Sequence, residues 1–160
     1  MHLAIFCILI GIIAGLRAFM PLAAVTWGSR FGFLPFVGTH LAFLGSTITA
    51  WIFTAFALFE LVNDKLPKTP SRKIPPQFIF RIVTGSFAGA AIAVSYGGSH
   101  GTETLLGAIV CGAVGAVIGT LGGSAVRGAL AKAFGKDLPA ALLEDIVAIV
   151  GSYLIVTHLW

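Results

Sequence analysis

Charged side chains stand in only a few places along an apolar chain, and their spacing sets the chemistry open to it. Arg17 lies inside AGLRAFMPLA, residues Ala14 to Ala23, and Pro21 follows one helical turn later. Proline has no backbone N–H, so the carbonyl of Arg17 loses its helical partner right beside the charge. A central arginine costs about 2.5–3.5 kcal/mol on membrane-insertion scales, less when it snorkels or pairs. Two roles are open to it. Either it bonds freed carbonyls or a neighbouring carboxylate, or it lines a route for an anion or a lipid headgroup.

Carboxylates supply the counterpart. Glu60 and Asp64 are one turn apart and share a face at the end of an apolar helix. Glu144 and Asp145 lie a turn or two inside a last helix that begins near Pro139, where negative charge also complements the positive helix end. Arg81, Arg127 and Lys65 fall at similar expected depth and can neutralise these acids. A structural ion-pair network is the default reading; a proton- or cation-coupled site is the sharper one. Lys65, Lys68, Arg72 and Lys73, within LVNDKLPKTPSRKIPPQFIFR, are candidates for contact with lipid headgroups.

Other chemistry has thinner support. His40, His100, His158 and Glu103 gather near the opposite surface, and histidine with carboxylate can hold zinc. Their spacing forms no local metal motif, so no metal is assigned. Cys7 and Cys111 each sit in an apolar run without CxxC and read as small buried hydrophobes. GxSxG, HExxH, P-loop and dinucleotide fingerprints are absent. GTLGGSAVRG clusters glycines and a serine, but inside an apolar small-residue helix. No cofactor is expected, and the reading leans away from an enzyme.

The elements that position these residues follow from composition. Of 160 residues, 58% are hydrophobic and 10% charged, with mean hydropathy +1.00. A soluble domain carries about 25% charged residues, so lipid is the expected solvent. Net charge is +4, but the basic residues cluster beside apolar spans and read as topology signals rather than a nucleic-acid stripe. No nucleic-acid partner is expected.

Five apolar stretches approach or exceed the ~20 residues needed to cross a bilayer. They run from about Leu3 to Trp27, Leu41 to Val62, Phe78 to Tyr96, Thr104 to Val126 or beyond, and Leu138 to Trp160. Together they predict an all-α integral membrane protein, one transmembrane helical domain over 1–160. Helix one is open to a break at Arg17–Pro21, and helix four to a break at Gly122–Gly123. A semi-rigid loop at about 63–77 holds Pro67, Pro70, Pro75 and Pro76 beside its basic residues. The basic loops set a cytoplasmic N-terminus and an outside C-terminus in the inner membrane. Trp27, Trp51 and Trp160 fit an interfacial belt.

Small residues recur at four-residue spacing: Gly11 and Gly15, Gly85 and Gly89, then Gly107, Cys111, Gly115, Gly119 and Gly123, ending at Arg127. Small faces let helix backbones approach closely, within one chain or in a homo-oligomer.

GLRAFMPL, ELVNDKLPKTPSR leading to FRIVTGSFAGA, and LLEDIVAIVG, in that order, resemble the small bacterial membrane proteins grouped as domain of unknown function 4126. The resemblance covers nearly the whole chain and implies a multi-helix membrane fold but no reaction. Its motif positions here are Arg17, Pro21, Glu60, Asp64, Lys65, Pro67, Ser71, Arg72, Arg81, Glu144 and Asp145. Three functions are then open. The first is a transporter or channel-like protein for an anionic or lipid-linked solute. The second is a non-catalytic subunit or scaffold that binds a larger membrane partner. The third is a membrane enzyme on a lipid substrate, with Glu60, Asp64, Glu144 or Asp145 as acid or base.

Overall fold

The computed structural model describes residues 2–65, 73–96 and 102–158, the side chains of Thr102 and Glu103 excepted. Six α-helices and no strand occur among the described residues. In order they are α1 (His2–Leu16), α2 (Met20–Arg30), α3 (Thr47–Asn63), α4 (Pro75–Tyr96), α5 (Thr102–Phe134) and α6 (Asp137–Thr157), with a 3-10 turn at Ala42–Gly45. Three helices, spanning Pro75–Tyr96, Thr104–Phe134 and Asp137–Thr157, are long and apolar enough to cross a membrane. Helices α1 and α3 are apolar but shorter.

The outside of the bundle is greasy and the inside is charged. Ile48, Trp51, Phe59 and Val62 of α3, Val110 and Ile118 of α5, and Ile146 and Tyr153 of α6 are exposed. Arg17, Arg81, Glu144 and Asp145 are buried. Water would penalise both halves of that arrangement, and hydrocarbon rewards it. This is the surface of a membrane-like helical protein.

Three helices form the tight centre, and backbone contacts give their directions. A Cβ on Gly11 would strike the Gly112 carbonyl, and one on Gly15 would strike the stretch from Ala116 to Thr120, so α1 runs parallel to α5. A Cβ on Gly89 would sit 2.6 Å from the Ala108 oxygen and one on Gly85 2.8 Å from the Ala116 Cβ, so α4 runs antiparallel to both. The buried Cys7 thiol, 3.5 Å from the Gly89 carbonyl, lies on the same α1–α4 seam.

The contacting face on α5 follows the four-residue series in part, since a Cβ on Gly115 would strike Ile8 and one on Gly119 would strike Ile12, and in part departs from it. Gly112, outside that series, meets Gly85, whereas a Cβ on Gly107 would meet nothing within 4 Å, and Cys111 is half-buried. An α-helix has 3.6 residues per turn, so a strict four-residue series drifts off one seam. Helix α5 also corrects a second expectation. It continues through Gly122–Gly123 as one element of 33 residues. A glycine costs a helix only about 1 kcal/mol, which a packed neighbour offsets. The helix stops instead at Gly135, whose φ of +68° suits the left-handed C-terminal position that glycine fills without strain.

The first apolar stretch is two helices, α1 and α2, parted between Leu16 and Met20, where a break was expected beside Arg17 and Pro21. Level along α6 marks this clearly. Ile13 packs against Gly151, Arg17 bonds Asp145, and Gly28 meets Val156. From residue 13 to 17 the chain therefore travels down α6, and from 17 to 28 it travels back up. Helices α1 and α2 make a hairpin that turns at Arg17–Phe19. The start of α1 consequently lies at the same end of the bundle as the end of α6, opposite the ends of α3 and α5 that bear charge.

If the glycine contacts set the helix spacing, Gly89→Val should destabilise the detergent-solubilised protein by about 1–3 kcal/mol through overpacking. Gly122→Ala, where a Cβ meets nothing, should be neutral or stabilising by up to about 1 kcal/mol. Thermal unfolding of the two variants side by side checks this; equal effects would contradict it.

Candidate functional site

The site is built on the reversal between α1 and α2. The last turn of α1 closes with Arg17 N donating to Ile13 O at 2.7 Å. The next two amides leave the helix and donate to one side chain: Ala18 N to Glu60 Oε1 at 2.8 Å and Phe19 N to Glu60 Oε2 at 3.0 Å. A carboxylate from α3 thus caps the N-terminus of α2, where unpaired N–H groups and the positive helix end favour an anion. Pro21 sits in the first turn of α2, a position that needs no N–H donor. At the C-terminus of α1 the signs invert. Gly15 O accepts from Arg81 Nη1 at 2.8 Å and from Thr120 Oγ1 at 3.3 Å, and Leu16 O accepts from Arg17 Nη1 at 3.3 Å.

Arg17 is 0% exposed. Its Nη1 lies 2.7 Å from Asp64 Oδ2, and its Nε donates to Asp145 Oδ1 at 2.8 Å. Nη2 is 2.6 Å from the same Asp145 oxygen but off the hydrogen-bond line, so Nε carries the aligned bond and Nη2 adds charge attraction. Glu144 Oε2 stands 4.0 Å away. The acids are shared in turn. Asp64 Oδ2 also bonds Arg127 Nη1, and Asp145 Oδ2 accepts from Lys65 Nζ at 2.5 Å. Arg127 reaches Asp137 at 2.6 Å and Glu144 at 3.5 Å, and Arg81 reaches Glu60 at 3.3 Å.

Five of the chain's six acidic residues therefore converge on four cations. Charges or carbonyls come from α1, α3, α4, α5, α6 and the residues flanking them. Burying an unpaired ion costs several kcal/mol, and sharing Asp64, Asp145 and Glu144 between two cations each is how this bundle avoids it.

The structure brings together Arg17, Glu60, Asp64, Lys65, Arg81, Arg127, Glu144 and Asp145, with Pro21 one turn away. Lys73 is exposed, and Lys68 and Arg72 lie outside the described residues, as do Pro67 and Ser71. His40 and His158 are exposed at the other end of the bundle, while His100 and the Glu103 side chain lie outside the described residues. No group of three potential metal ligands occurs among the described residues. Sequence reading missed Asp137 and Thr120. Asp137 had a weak signal, since Gly135 reverses the chain between it and Arg127; Thr120 had none.

Beside the cluster lies a cavity of about 440 Å³, walled by Phe19, Phe59 and Phe80 and floored by Glu60, Asp64 and Arg81. Phe19 packs against Phe56 and Phe80 at centroid distances of 5.1 and 5.2 Å, which fixes the turn to α3 and α4. Asn63 and Gln77 add neutral polar groups, and no hydroxyl, thiol or imidazole lines the space among the described residues.

Fold and site thus define a membrane-like, all-helical protein with a buried ion-pair centre at a helix reversal. The chain belongs to the family described as Domain of unknown function (DUF4126), whose model matches residues 4–160. No curated protein and no solved structure matches it.

Glu60→Ala removes the acceptor of two amides and the partner of Arg81. Expected destabilisation is about 3–5 kcal/mol, the usual result of leaving a buried charge uncompensated. Glu60→Gln keeps one carbonyl acceptor and should recover part of that loss. Denaturation in detergent micelles measures both; a Glu60→Ala protein as stable as the parent would remove the clamp from this description.

Proposed function

We propose that the chain is a small inner-membrane transporter in which the α1–α2 hairpin and its ion pairs gate the cavity between α3 and α4. The observation that carries the reading is the double sharing of Asp64 and Asp145. A carboxylate held by two cations can pass from one to the other without being left bare, so the cluster can rearrange at lower cost than an isolated buried pair. Charge on several helices at a break in one of them is also where membrane transporters place their sites.

The solute class follows from the neighbouring cavity. Phenylalanine walls and a charged floor suit an amphipathic, lipid-linked molecule, its apolar body against Phe59 and Phe80 and its head toward Arg81, Asn63 and Gln77. A free inorganic anion fits less well, because Arg17 is already matched by acids. Orientation rests on the basic residues: Lys65, Arg81, Arg127, Lys132 and Lys136 share one end of the bundle, which the positive-inside rule places in the cytoplasm. On this reading both ends of the described chain face outside, and α1 and α2 enter the membrane together as one hairpin.

Reconstitution into liposomes with fluorescent phosphatidylglycerol tests the proposal, with dithionite reporting transfer between leaflets. Wild-type protein should accelerate transfer. Gln77→Leu, half-buried and outside the ion pairs, should slow it about tenfold, the loss of roughly one hydrogen bond to the headgroup. Rates equal to protein-free liposomes, or unchanged by Gln77→Leu and Asp64→Asn, would remove the reading.

A further inference from the structure

At the end of the bundle away from the ion pairs, the chain between α2 and α3 makes a surface ill suited to water. Gly28 of α2 meets Val156, one residue before the end of α6, so the residues after α2 lie level with the point where α6 ends. The loop closes on itself. Phe33 N and Leu34 N donate to Gly28 O at 2.9 and 3.2 Å, and Thr39 Oγ1 donates to Phe36 O while accepting from Leu41 N. Backbone bonded in this way tolerates an apolar setting. Leu34, Phe36 and Leu44 are buried in the core and anchor the loop. What they leave facing out is apolar: Val37 is 96% exposed, Phe31 69% and Phe43 52%.

Charge is equally sparse here. From Phe31 to Phe59 the chain has no Asp, Glu, Lys or Arg. Arg30, the last residue of α2, stands exposed at the edge of the loop, its Nε donating to Thr47 Oγ1 at 3.1 Å. That bond holds the guanidinium beside the apolar side chains. Arg17, Lys65, Arg81 and Arg127 each face a carboxylate, but Arg30 makes no ion pair among the described residues. Its Nη1 and Nη2 are left as a planar fork, the geometry that matches a phosphate.

We infer that residues 31–46 dip into the bilayer leaflet at this end, with Phe31, Val37 and Phe43 among the upper acyl chains and Arg30 on the phosphate of an anionic phospholipid. Three observations select a lipid surface over a protein partner. The exposed apolar residues continue into Ile48 and Trp51 of α3, 73% and 61% exposed, which belong to the greasy outside of the bundle. The loop lies beside the end of α6, a helix long enough to span, and so at the boundary of headgroups and acyl chains. Apolar side chains insert at that depth and cations meet phosphate there. Arg30 is also the one Lys or Arg at this end among the described residues, so a single headgroup charge matches it. The inference does not depend on the gate proposed above.

A single NBD fluorophore reads the depth of the loop. Val37→Cys, labelled after Cys7 and Cys111 are replaced by alanine, is placed in phosphatidylcholine nanodiscs, which leave both faces open to solutes. Its emission should lie at shorter wavelength than that of a label at Lys136→Cys, an exposed position at the charged end. Iodide should quench it less than the Lys136→Cys label. A lipid with its nitroxide near the top of the acyl chain should quench it more than one with the nitroxide near the chain end. Nitroxide phosphatidylglycerol should quench as strongly as about five times as much nitroxide phosphatidylcholine, the preference one cation gives near an anionic surface. Arg30→Gln should bring the two lipids level and leave the emission wavelength unchanged. A Val37→Cys label as open to iodide as the one at Lys136→Cys would overturn the inference. So would a label shielded from iodide and from lipid alike, which would mean that a second copy or another protein covers the loop. Equal quenching by the two lipids before Arg30 is changed, or a preference that survives Arg30→Gln, would overturn the phosphate contact.

Discussion

A guanidinium with no access to water must be neutralised where it stands, and the bundle is arranged around meeting that demand for Arg17. Asp64 comes from the end of α3 and Asp145 from the third turn of α6. Each of those acids brings a further cation, Arg127 or Lys65, so the neutralisation spreads over four helices. Removing any one member leaves a neighbour overcharged in a medium of low dielectric. The cluster is therefore both the costliest feature of the fold and the one that fixes how its helices meet.

The same place is where the backbone reverses, and the two facts have one cause. A helix that ends inside the bundle exposes carbonyls, and one that begins there exposes amides. Arg81 and Thr120 satisfy the carbonyl of Gly15, and Glu60 satisfies the amides of Ala18 and Phe19. Charge of the correct sign thus meets each helix end. Helices α1, α4 and α5 close the other half through backbone-level contact at Gly11, Gly85, Gly89 and Gly112, with α2 lying between α3 and α6, one lateral cavity between α3 and α4 and another among α2, α3 and α6.

Much of this was legible in the residues. Apolar length marked the long helices, because lipid leaves little freedom in how a spanning segment is composed. Arg17 beside Pro21 marked a break, and Glu60, Asp64, Glu144 and Asp145 were the acids it could reach. Direction was not legible. Proline removes a bond but does not set an angle, so the hairpin of α1 and α2 looked like one long crossing. The reversal brings Arg17 to the level of Asp64 and Asp145. Gly112 was hidden for a related reason: it acts through Gly85, a neighbour distant in sequence, and local spacing carries no record of it.

The hairpin is the central structural claim, and topology mapping tests it most directly. Single cysteines at His2, Lys136 and His158, all exposed, are introduced after Cys7 and Cys111 are replaced by alanine. An impermeant maleimide applied to sealed vesicles of known orientation then reports the side of each. The hairpin requires His2→Cys and His158→Cys to label from the same side, with Lys136→Cys labelling only from the other. If His2→Cys labels together with Lys136→Cys, the first apolar stretch crosses the membrane once, and the reversal at Arg17 is wrong.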